Sequence, residues 1–183
     1  MRHGRSGNNM NKFETQPIVS TWLIAEGETL RGVMDNLADR YQAPKFMPHI
    51  TMYSVNVASD RVGQMRNRVM AVARDLQPIT LKVKDIGFDN NLFMSLFVRF
   101  EASEELDQLQ KRLQRALSEF GDYTFTPHAS LLYKELPEEE KLKIIPDLKT
   151  QLPTTITFGK LGMIVHKSPE DRAQIENWEV NIL

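Results

Sequence analysis

A six-residue pattern occurs twice in this chain. Residues 46–51 read Phe-Met-Pro-His-Ile-Thr, and residues 125–130 read Phe-Thr-Pro-His-Ala-Ser. Each copy has a proline before a histidine and a hydroxyl residue two positions after it, and the two copies use two of the four histidines in the chain. A repeated motif of this kind predicts two half-sites, built on equivalent elements, that face one ligand.

The secondary structure predicted around the two motifs is also repeated. The first half has an apolar run at 18–25, an amphipathic helix at 28–41, the motif strand at 49–57, a helix at 59–76 and an alternating strand at 79–88. The second half has a strand at 92–100, a helix at 103–120, the motif strand at 128–133, a charged helix at 137–148 and a β-rich run at 154–166. A last strand is predicted at 177–182. The duplication predicts pseudo-repeats of about 18–88 and 92–166 within one bilobal domain over residues 17–183.

Composition narrows the class of protein. The 183 residues are 41% hydrophobic and 26% charged, which is typical of a globular protein large enough to bury its own core. The absence of cysteine excludes disulfides, iron–sulfur clusters and cysteine-ligated zinc. The net charge of −1 gives no overall attraction to nucleic acid or membranes, and no apolar run approaches the ~20 residues of a membrane span. We expect a cytoplasmic monomer, with residues 1–16 as a disordered leader or an extension foreign to the natural chain.

The two motifs suit acid–base chemistry on phosphorus. Alternate side chains of a strand share a face, so His49 lies beside Thr51, and His128 lies beside Ser130. Two imidazoles across a groove can transfer protons near neutral pH, one as base and one as acid. The two hydroxyls can donate hydrogen bonds to the non-bridging oxygens of a phosphate. This set of groups is what hydrolysis of a cyclic phosphodiester requires, without a cofactor or a metal.

Other interpretations of the same residues fit less well. A single His-x-Thr pair on a strand is usually structural, but two matched copies in a repeated topology favour a site. Two histidines without a nearby carboxylate or thiolate fall short of the ~3–4 ligands of a zinc site. A serine triad is also disfavoured, because the chain has no Gly-x-Ser-x-Gly elbow and Ser130 lies two residues from His128 on the same strand.

These motifs resemble those of the 2H phosphoesterase superfamily, which is named for its two His-x-Thr/Ser motifs. The resemblance covers nearly all of the chain after residue 16. Within the superfamily the chain looks most like the plant- and yeast-type cyclic phosphodiesterases, on the basis of Trp22 in the first strand, the segment 44–51 and Tyr133 after the second motif. It resembles the 2′-5′ RNA ligase-like proteins more distantly. The implied fold is α+β, with two pseudo-twofold-related lobes of antiparallel sheet and outer helices around a central groove.

The resemblance also implies an activity and roles for individual residues. The activity is metal-independent hydrolysis of nucleoside 2′,3′-cyclic phosphates, of ADP-ribose 1″,2″-cyclic phosphate, or of both, as in the metabolism of tRNA splicing products. His49 and His128 would be catalytic, with His128 as base and His49 as acid, although the repeat makes that assignment reversible. Thr51 and Ser130 would bind phosphate. The implied partner is a small cyclic-phosphate nucleotide, or RNA ends, with no cofactor, metal or membrane.

Trp22 and Tyr133 would line the substrate site, but strand parity leaves the second of these open. Strict alternation puts Tyr133 on the face opposite His128, so it reaches the groove only if the strand bends, bulges or ends there. Tyr53 has the same parity as His49 and is the alternative lining residue.

Two other functions stay open from the sequence. One is an RNA 2′,3′-cyclic phosphodiesterase or 2′-5′ RNA ligase-like enzyme that processes RNA ends. The other is a non-catalytic protein that binds nucleotides or RNA in the same groove. The Tyr133-Lys134 pair, where the ligase-like branch often has arginine, favours the small-nucleotide phosphodiesterase.

Overall fold

The computed structural model describes residues 16–166 and 179–183, and its elements follow the order that the two repeats predict. These elements are β1 Ile18–Ala25, α1 Thr29–Tyr41, β2 His49–Asn56, α2 Val62–Ala73, β3 Ile79–Gly87, β4 Leu96–Phe100, α3 Glu104–Leu117, β5 His128–Leu132, α4 Glu138–Gln151, β6 Thr155–His166 and β7 Asn181–Ile182. Apart from residue 16, the leader expected at 1–16 lies outside the described residues. Part of the last strand predicted at 177–182 also lies outside them.

The described strands form one antiparallel sheet in which the two halves of the chain are interleaved. The strand order is β1-β2-β5-β4-β3-β6-β7, and β6 also pairs with β1. The long β6 pairs with β3 through residues 155–158 and with β1 through residues 158–166. Exchanging β1 with β4, β2 with β5 and β3 with β6 maps the six pairings among these six strands onto one another; the pairing of β6 with β7 lies outside this symmetry. The duplication read from the sequence is therefore a pseudo-twofold symmetry of the strand topology.

The two motif strands meet at the pseudo-twofold axis. Strand β2 pairs with β5 through Ile50 and Ala129, the residues between the histidine and the hydroxyl in each motif. Both are fully buried. Because these two positions are equivalent in the repeats, the axis passes between them, and the two histidines lie on either side of it.

Amphipathic helices cover the face of the sheet that does not carry the two histidines. In α3, Leu106, Leu109, Leu113 and Leu117 are buried at helical spacing, and the helix begins where the Ser103 hydroxyl accepts a hydrogen bond from the Leu106 backbone N–H. These leucines join the core side chains of the strands in one hydrophobic cluster. Along each motif strand, the core therefore takes one face and leaves the histidine face uncovered. Within the part of the chain that the structure describes, no helix is long and apolar enough to cross a membrane.

Candidate active site

The uncovered face of the two motif strands forms one cleft. Its volume is about 210 Å³, and its lining consists of Ile18, Ser20, Trp22, His49, Thr51, Ser54, Phe93, His128, Ser130, Tyr133, Ile164 and His166. The structure therefore brings together the four motif residues that the sequence singles out, together with Trp22 and Tyr133.

The two imidazoles are held in the same way. His49 Nδ1 lies 2.6 Å from the Met47 carbonyl oxygen, and His128 Nδ1 lies 2.8 Å from the Thr126 carbonyl oxygen. A carbonyl oxygen only accepts hydrogen bonds, so Nδ1 must carry the hydrogen in both rings. In each neutral ring Nε2 is then the basic nitrogen, and in each protonated ring Nε2 is the atom that can give up a proton.

Burial lowers the proton affinity of both rings. Burial, opposed by the hydrogen bond to Met47 and reinforced by the charge of His128, lowers the pKa of His49 to about 3. Burial also lowers the pKa of His128, against the effect of its hydrogen bond to Thr126. The empty cleft therefore favours neutral imidazoles. Because each charged ring raises the cost of charging the other, the pair favours states with at most one proton.

Each imidazole also contacts an aromatic ring from the neighbouring strand. Trp22 is the cross-strand partner of Thr51, and its indole stacks on His49 with ring centroids 3.5 Å apart and planes 10° apart. Phe97 is the cross-strand partner of Ser130, and its ring lies edge-on to His128 at 5.4 Å and 68°. Trp22 and Phe97 thus occupy equivalent positions in the two halves, but the contacts that they make are different.

Matched irregularities in the two motif strands bring Tyr133 to the cleft. In β1–β2 the register shifts between Thr21 and Trp22, and in β4–β5 it shifts between Leu96 and Phe97. Each shift leaves one extra residue on the motif strand after its hydroxyl residue, as in a β-bulge. An extra residue reverses the facing of the side chains that follow. Tyr133 therefore lies on the cleft face with His128, as does Ser54 at the equivalent position of β2.

The same irregularity removes Tyr53 from the site. The prediction that Tyr53 is an alternative lining residue is wrong, because that prediction assumes an unbroken alternation from His49. Tyr53 is fully buried in the hydrophobic core. Its hydroxyl donates a hydrogen bond to the Gly121 carbonyl and lies 3.3 Å from the Leu117 carbonyl oxygen. Its role is to satisfy backbone groups at the end of α3.

Tyr133 belongs to an aromatic group that closes one side of the cleft. Its ring stacks on Phe46 at 3.7 Å and 4°, and it meets the edge of Phe93 at 5.0 Å and 79°. Burial raises the pKa of Tyr133 above its ordinary value, and a hydrogen bond with Ser130 partly offsets that effect. The phenol therefore stays protonated at any physiological pH and can donate a hydrogen bond. The Ser130 hydroxyl itself donates to the Phe93 carbonyl oxygen at 2.5 Å.

Sequence reasoning missed part of the lining. Ile18 and Ser20 lie four and two positions before Trp22 on β1, so strand alternation already places their side chains on the same face as Trp22. Ser54 needed the β-bulge, since strict alternation from Thr51 gives it the opposite face. Ile164 and His166 needed the pairing of β6 with β1, which joins distant parts of the chain.

The residues around the cleft offer little to a metal ion. In the described ranges 16–166 and 179–183, no group of three or more histidine, aspartate and glutamate side chains lies close enough together to hold one. The groups present are instead imidazoles, hydroxyls and aromatic rings, which suit proton transfer and hydrogen bonding to an anion.

Comparisons with known proteins agree with this arrangement. The sequence profile of the 2′-5′ RNA ligase superfamily matches residues 23–170. A cyclic phosphodiesterase of Arabidopsis thaliana is 24% identical over 169 residues, which cover 88% of this chain and 91% of that protein. A putative phosphoesterase of Bacillus licheniformis is 25% identical over 132 residues, covering 69% of this chain and 77% of its own length.

Solved structures share the fold. The Escherichia coli LigT structure complexed with 3′-AMP superposes with a TM-score of 0.57 at 15% identity, covering 93% of this chain and 96% of LigT. A crystal structure described as a phosphoesterase gives a TM-score of 0.58 at 13% identity, covering 92% of this chain and 95% of its own. The predicted α+β, bilobal 2H phosphoesterase-like fold is confirmed, as is the prediction of an enzyme that acts on phosphodiester bonds. This chain belongs to the 2′-5′ RNA ligase superfamily, the 2H phosphoesterases.

Proposed function

We propose that this protein is a metal-independent cyclic phosphodiesterase, acting as a cytoplasmic monomer on nucleoside 2′,3′-cyclic phosphates, on ADP-ribose 1″,2″-cyclic phosphate, or on both. The observation that carries the proposal is the matched pair of imidazoles. His49 and His128 line one cleft, and each fixes its Nδ1–H on a backbone carbonyl. Similarity to the Arabidopsis cyclic phosphodiesterase supports the same activity.

The reaction needs one proton on the pair of histidines. A neutral imidazole takes a proton from water at Nε2 while the water oxygen bonds to phosphorus. The other imidazole, protonated at Nε2, gives its proton to the ribose oxygen as the scissile P–O bond breaks. The product is a phosphomonoester, and exchange of protons with solvent restores the starting state. Placement of the two rings on opposite sides of the pseudo-twofold axis suits attack in line with the leaving oxygen.

Hydrogen-bond donors beside the imidazoles stabilise the pentacoordinate phosphorus. Thr51 and Ser130 line the cleft next to the two histidines, at equivalent positions of the two strands. Ser130 donates to the Phe93 carbonyl in the empty cleft, so it must turn its hydroxyl hydrogen to reach a phosphate. The protonated phenol of Tyr133 provides a further donor on that side. Preorganised donors of this kind typically contribute about 10²–10³ in rate each.

The proposed mechanism uses no metal, because the two imidazoles can supply both proton transfers. Among residues 16–166 and 179–183, no group of three or more histidine, aspartate and glutamate side chains lies close enough together to hold an ion, which supports this part of the proposal. The net charge of −1 also favours a small nucleotide over a long RNA, whose binding relies on neutralising many phosphates.

The test is hydrolysis of a 2′,3′-cyclic nucleotide in the presence of EDTA, followed by phosphorus NMR. We expect turnover by the wild type and a loss of about 10²–10⁴ in kcat for His49→Asn and for His128→Asn, since each removes a proton-transfer group. Val165→Ala is the matched control, because that β6 side chain is exposed and lies outside the cleft lining. Full activity in either histidine variant would overturn the mechanism. Binding without turnover on any cyclic phosphate would favour the non-catalytic alternative.

Processing of RNA ends is the second candidate function, and the superfamily match favours it. It predicts that kcat/KM for oligonucleotides ending in a 2′,3′-cyclic phosphate, or joined by a 2′-5′ linkage, exceeds that for mononucleotides. It also predicts a steep fall of oligonucleotide binding with salt. We expect the opposite preference, for mononucleotides, with a shallow dependence on salt.

A further inference from the structure

The cleft is not symmetric, although the strands that build it are. Ser54 and Tyr133 occupy equivalent positions, one after each irregularity in the motif strands. In the second half, the Tyr133 ring packs between Phe46 and Phe93 and fills the space beside the phosphate-binding residues. In the first half, the small side chain of Ser54 leaves the corresponding space open to the cleft. The open space is called the first-half arm below, and its lining is Ile18, Ser20, Ser54, Ile164 and His166.

The first-half arm runs along strands β1 and β6, away from His49. Ile18, Ser20 and Trp22 alternate along one face of β1. Their partners on β6 are His166, Ile164 and a glycine, so the arm has two parallel rows of side chains. At about 3.3 Å per residue, Ile18 and His166 lie roughly 13 Å from Trp22 along the strands. The arm is therefore a second compartment beyond the reacting phosphate.

The lining of the first-half arm suits an uncharged planar group. Ile18 and Ile164 give it aliphatic surface, and the Ser20 and Ser54 hydroxyls lie 2.8 Å apart in a hydrogen bond. His166 adds one aromatic ring with nitrogen donors and acceptors. No lysine, arginine, aspartate or glutamate belongs to the described lining of the cleft. Burial lowers the pKa of His166, so its ring is neutral at neutral pH. Apolar walls with a few polar groups are typical of sites for heterocyclic ligands.

From this asymmetry we infer that the first-half arm binds the nucleoside portion of the substrate, with His166 as the specificity-determining residue at its far end. The inference rests on the proposed function and narrows it. The described lining, which holds no lysine or arginine, fits a base and its ribose better than the pyrophosphate of ADP-ribose 1″,2″-cyclic phosphate. The favoured substrate is therefore a nucleoside 2′,3′-cyclic phosphate.

Binding without turnover tests the inference separately from the reaction. Calorimetry would compare a nucleoside 2′-monophosphate with inorganic phosphate on the wild type, His166→Ala and Ser54→Tyr. Ser54→Tyr places in the first half the ring that fills the second half. We expect the wild type to bind the nucleotide at least tenfold more tightly than phosphate, and both variants to lose that preference while still binding phosphate. Val165→Ala, an exposed neighbour of His166, should behave as wild type.

The result that would overturn the inference is a wild type without preference for the nucleotide, or a His166→Ala variant that retains the full preference. His166→Ala decides the matter even if Ser54→Tyr fails to fold. Kinetics give a second readout. His166→Ala should raise KM for 2′,3′-cyclic nucleotides about tenfold at unchanged kcat, and leave KM unchanged for a ribose cyclic phosphate that lacks a base. If the protein prefers the nucleotide but hydrolyses no cyclic phosphate, the proposed reaction is wrong and the nucleoside site in the first-half arm is still supported.

Discussion

The indole of Trp22 lies flat against the imidazole of His49, with ring centroids 3.5 Å apart. The equivalent pair, Phe97 and His128, meets edge to face at 5.4 Å. The first imidazole is therefore covered on one face and excluded from water, which is why burial depresses its pKa more strongly than that of its partner. A cation–π contribution from the indole, about 0.5–2 kcal/mol, is too small to offset a depression from 6.5 to about 3.

The stacking of Trp22 on His49 predicts the pH dependence of the proposed reaction. In the proposed mechanism the active form carries one proton on the pair, so kcat/KM should be bell-shaped, with both limbs below pH 6.5 and the lower limb set mainly by His49. Trp22→Leu admits water to His49 and should move the acid limb to higher pH. Phe97→Leu, the matched change beside His128, should leave the acid limb in place. An acid limb at the same pH in Trp22→Leu and wild type would contradict this account.

The buried neutral histidine also predicts loss of stability in acid. The folded-state pKa of His49 lies below the ordinary value, so between pH 6.5 and about 3 the unfolded chain binds the extra proton. Stability from this group is complete above pH 6.5 and falls by up to about 1.4 kcal/mol per pH unit below it. Relative to His49→Asn, the wild type should lose about 2 kcal/mol between pH 6.5 and roughly pH 5. Urea unfolding at both pH values measures the difference, and a constant difference would show that His49 is not buried neutral.

Two tyrosine-to-phenylalanine changes distinguish the role of the cleft residue Tyr133 from that of the core residue Tyr53. In the proposed mechanism, Tyr133→Phe removes a hydrogen-bond donor to the phosphate and should lower kcat by about 10²–10³, with little change in stability because Ser130 keeps its hydrogen bond to the Phe93 carbonyl. Tyr53→Phe leaves the carbonyls at the end of α3 without their partner and should cost about 1–3 kcal/mol of unfolding free energy. Its kcat should stay at the wild-type value. Kinetics and denaturant unfolding measure the two effects. A loss of kcat in Tyr53→Phe without a loss of stability would show that Tyr53 acts in the cleft.

A substrate with a better leaving group identifies the acid. When sulfur replaces the leaving ribose oxygen, the departing thiolate needs no protonation, because thiols have a pKa near 8.5. The variant that lacks the acid should then recover activity, while the variant that lacks the base should not. By resemblance to other 2H phosphoesterases we expect recovery in His49→Asn. Burial points the other way, because the less buried His128 holds a proton better than His49 in the empty cleft. Recovery in His128→Asn would show that His128 is the acid and would reverse the assignment.

Local regularity explains which features could be read from the sequence. The repeat of the hexad needs no tertiary information, and the strand period of two places His49 with Thr51 and His128 with Ser130 on one face. Helical spacing of leucines predicts α3 for the same reason, because it depends on neighbours within a few residues. These patterns were sufficient for the order of elements, the duplicated topology and the four central side chains of the cleft.

Tertiary structure decided what lies around those four side chains. The irregularities that turn Tyr133 into the cleft and Tyr53 into the core arise from strand pairing, and a shift of one residue reverses every facing after it. The contributions of His166 and Ile164 depend on β6 pairing with β1, across most of the chain. The sequence by itself determined which four side chains lie at the centre of the cleft, because each pair lies within a contiguous motif. The folded sheet determined which of the two equivalent half-sites has an open space beside it, because that depends on side chains that meet only when distant strands pair.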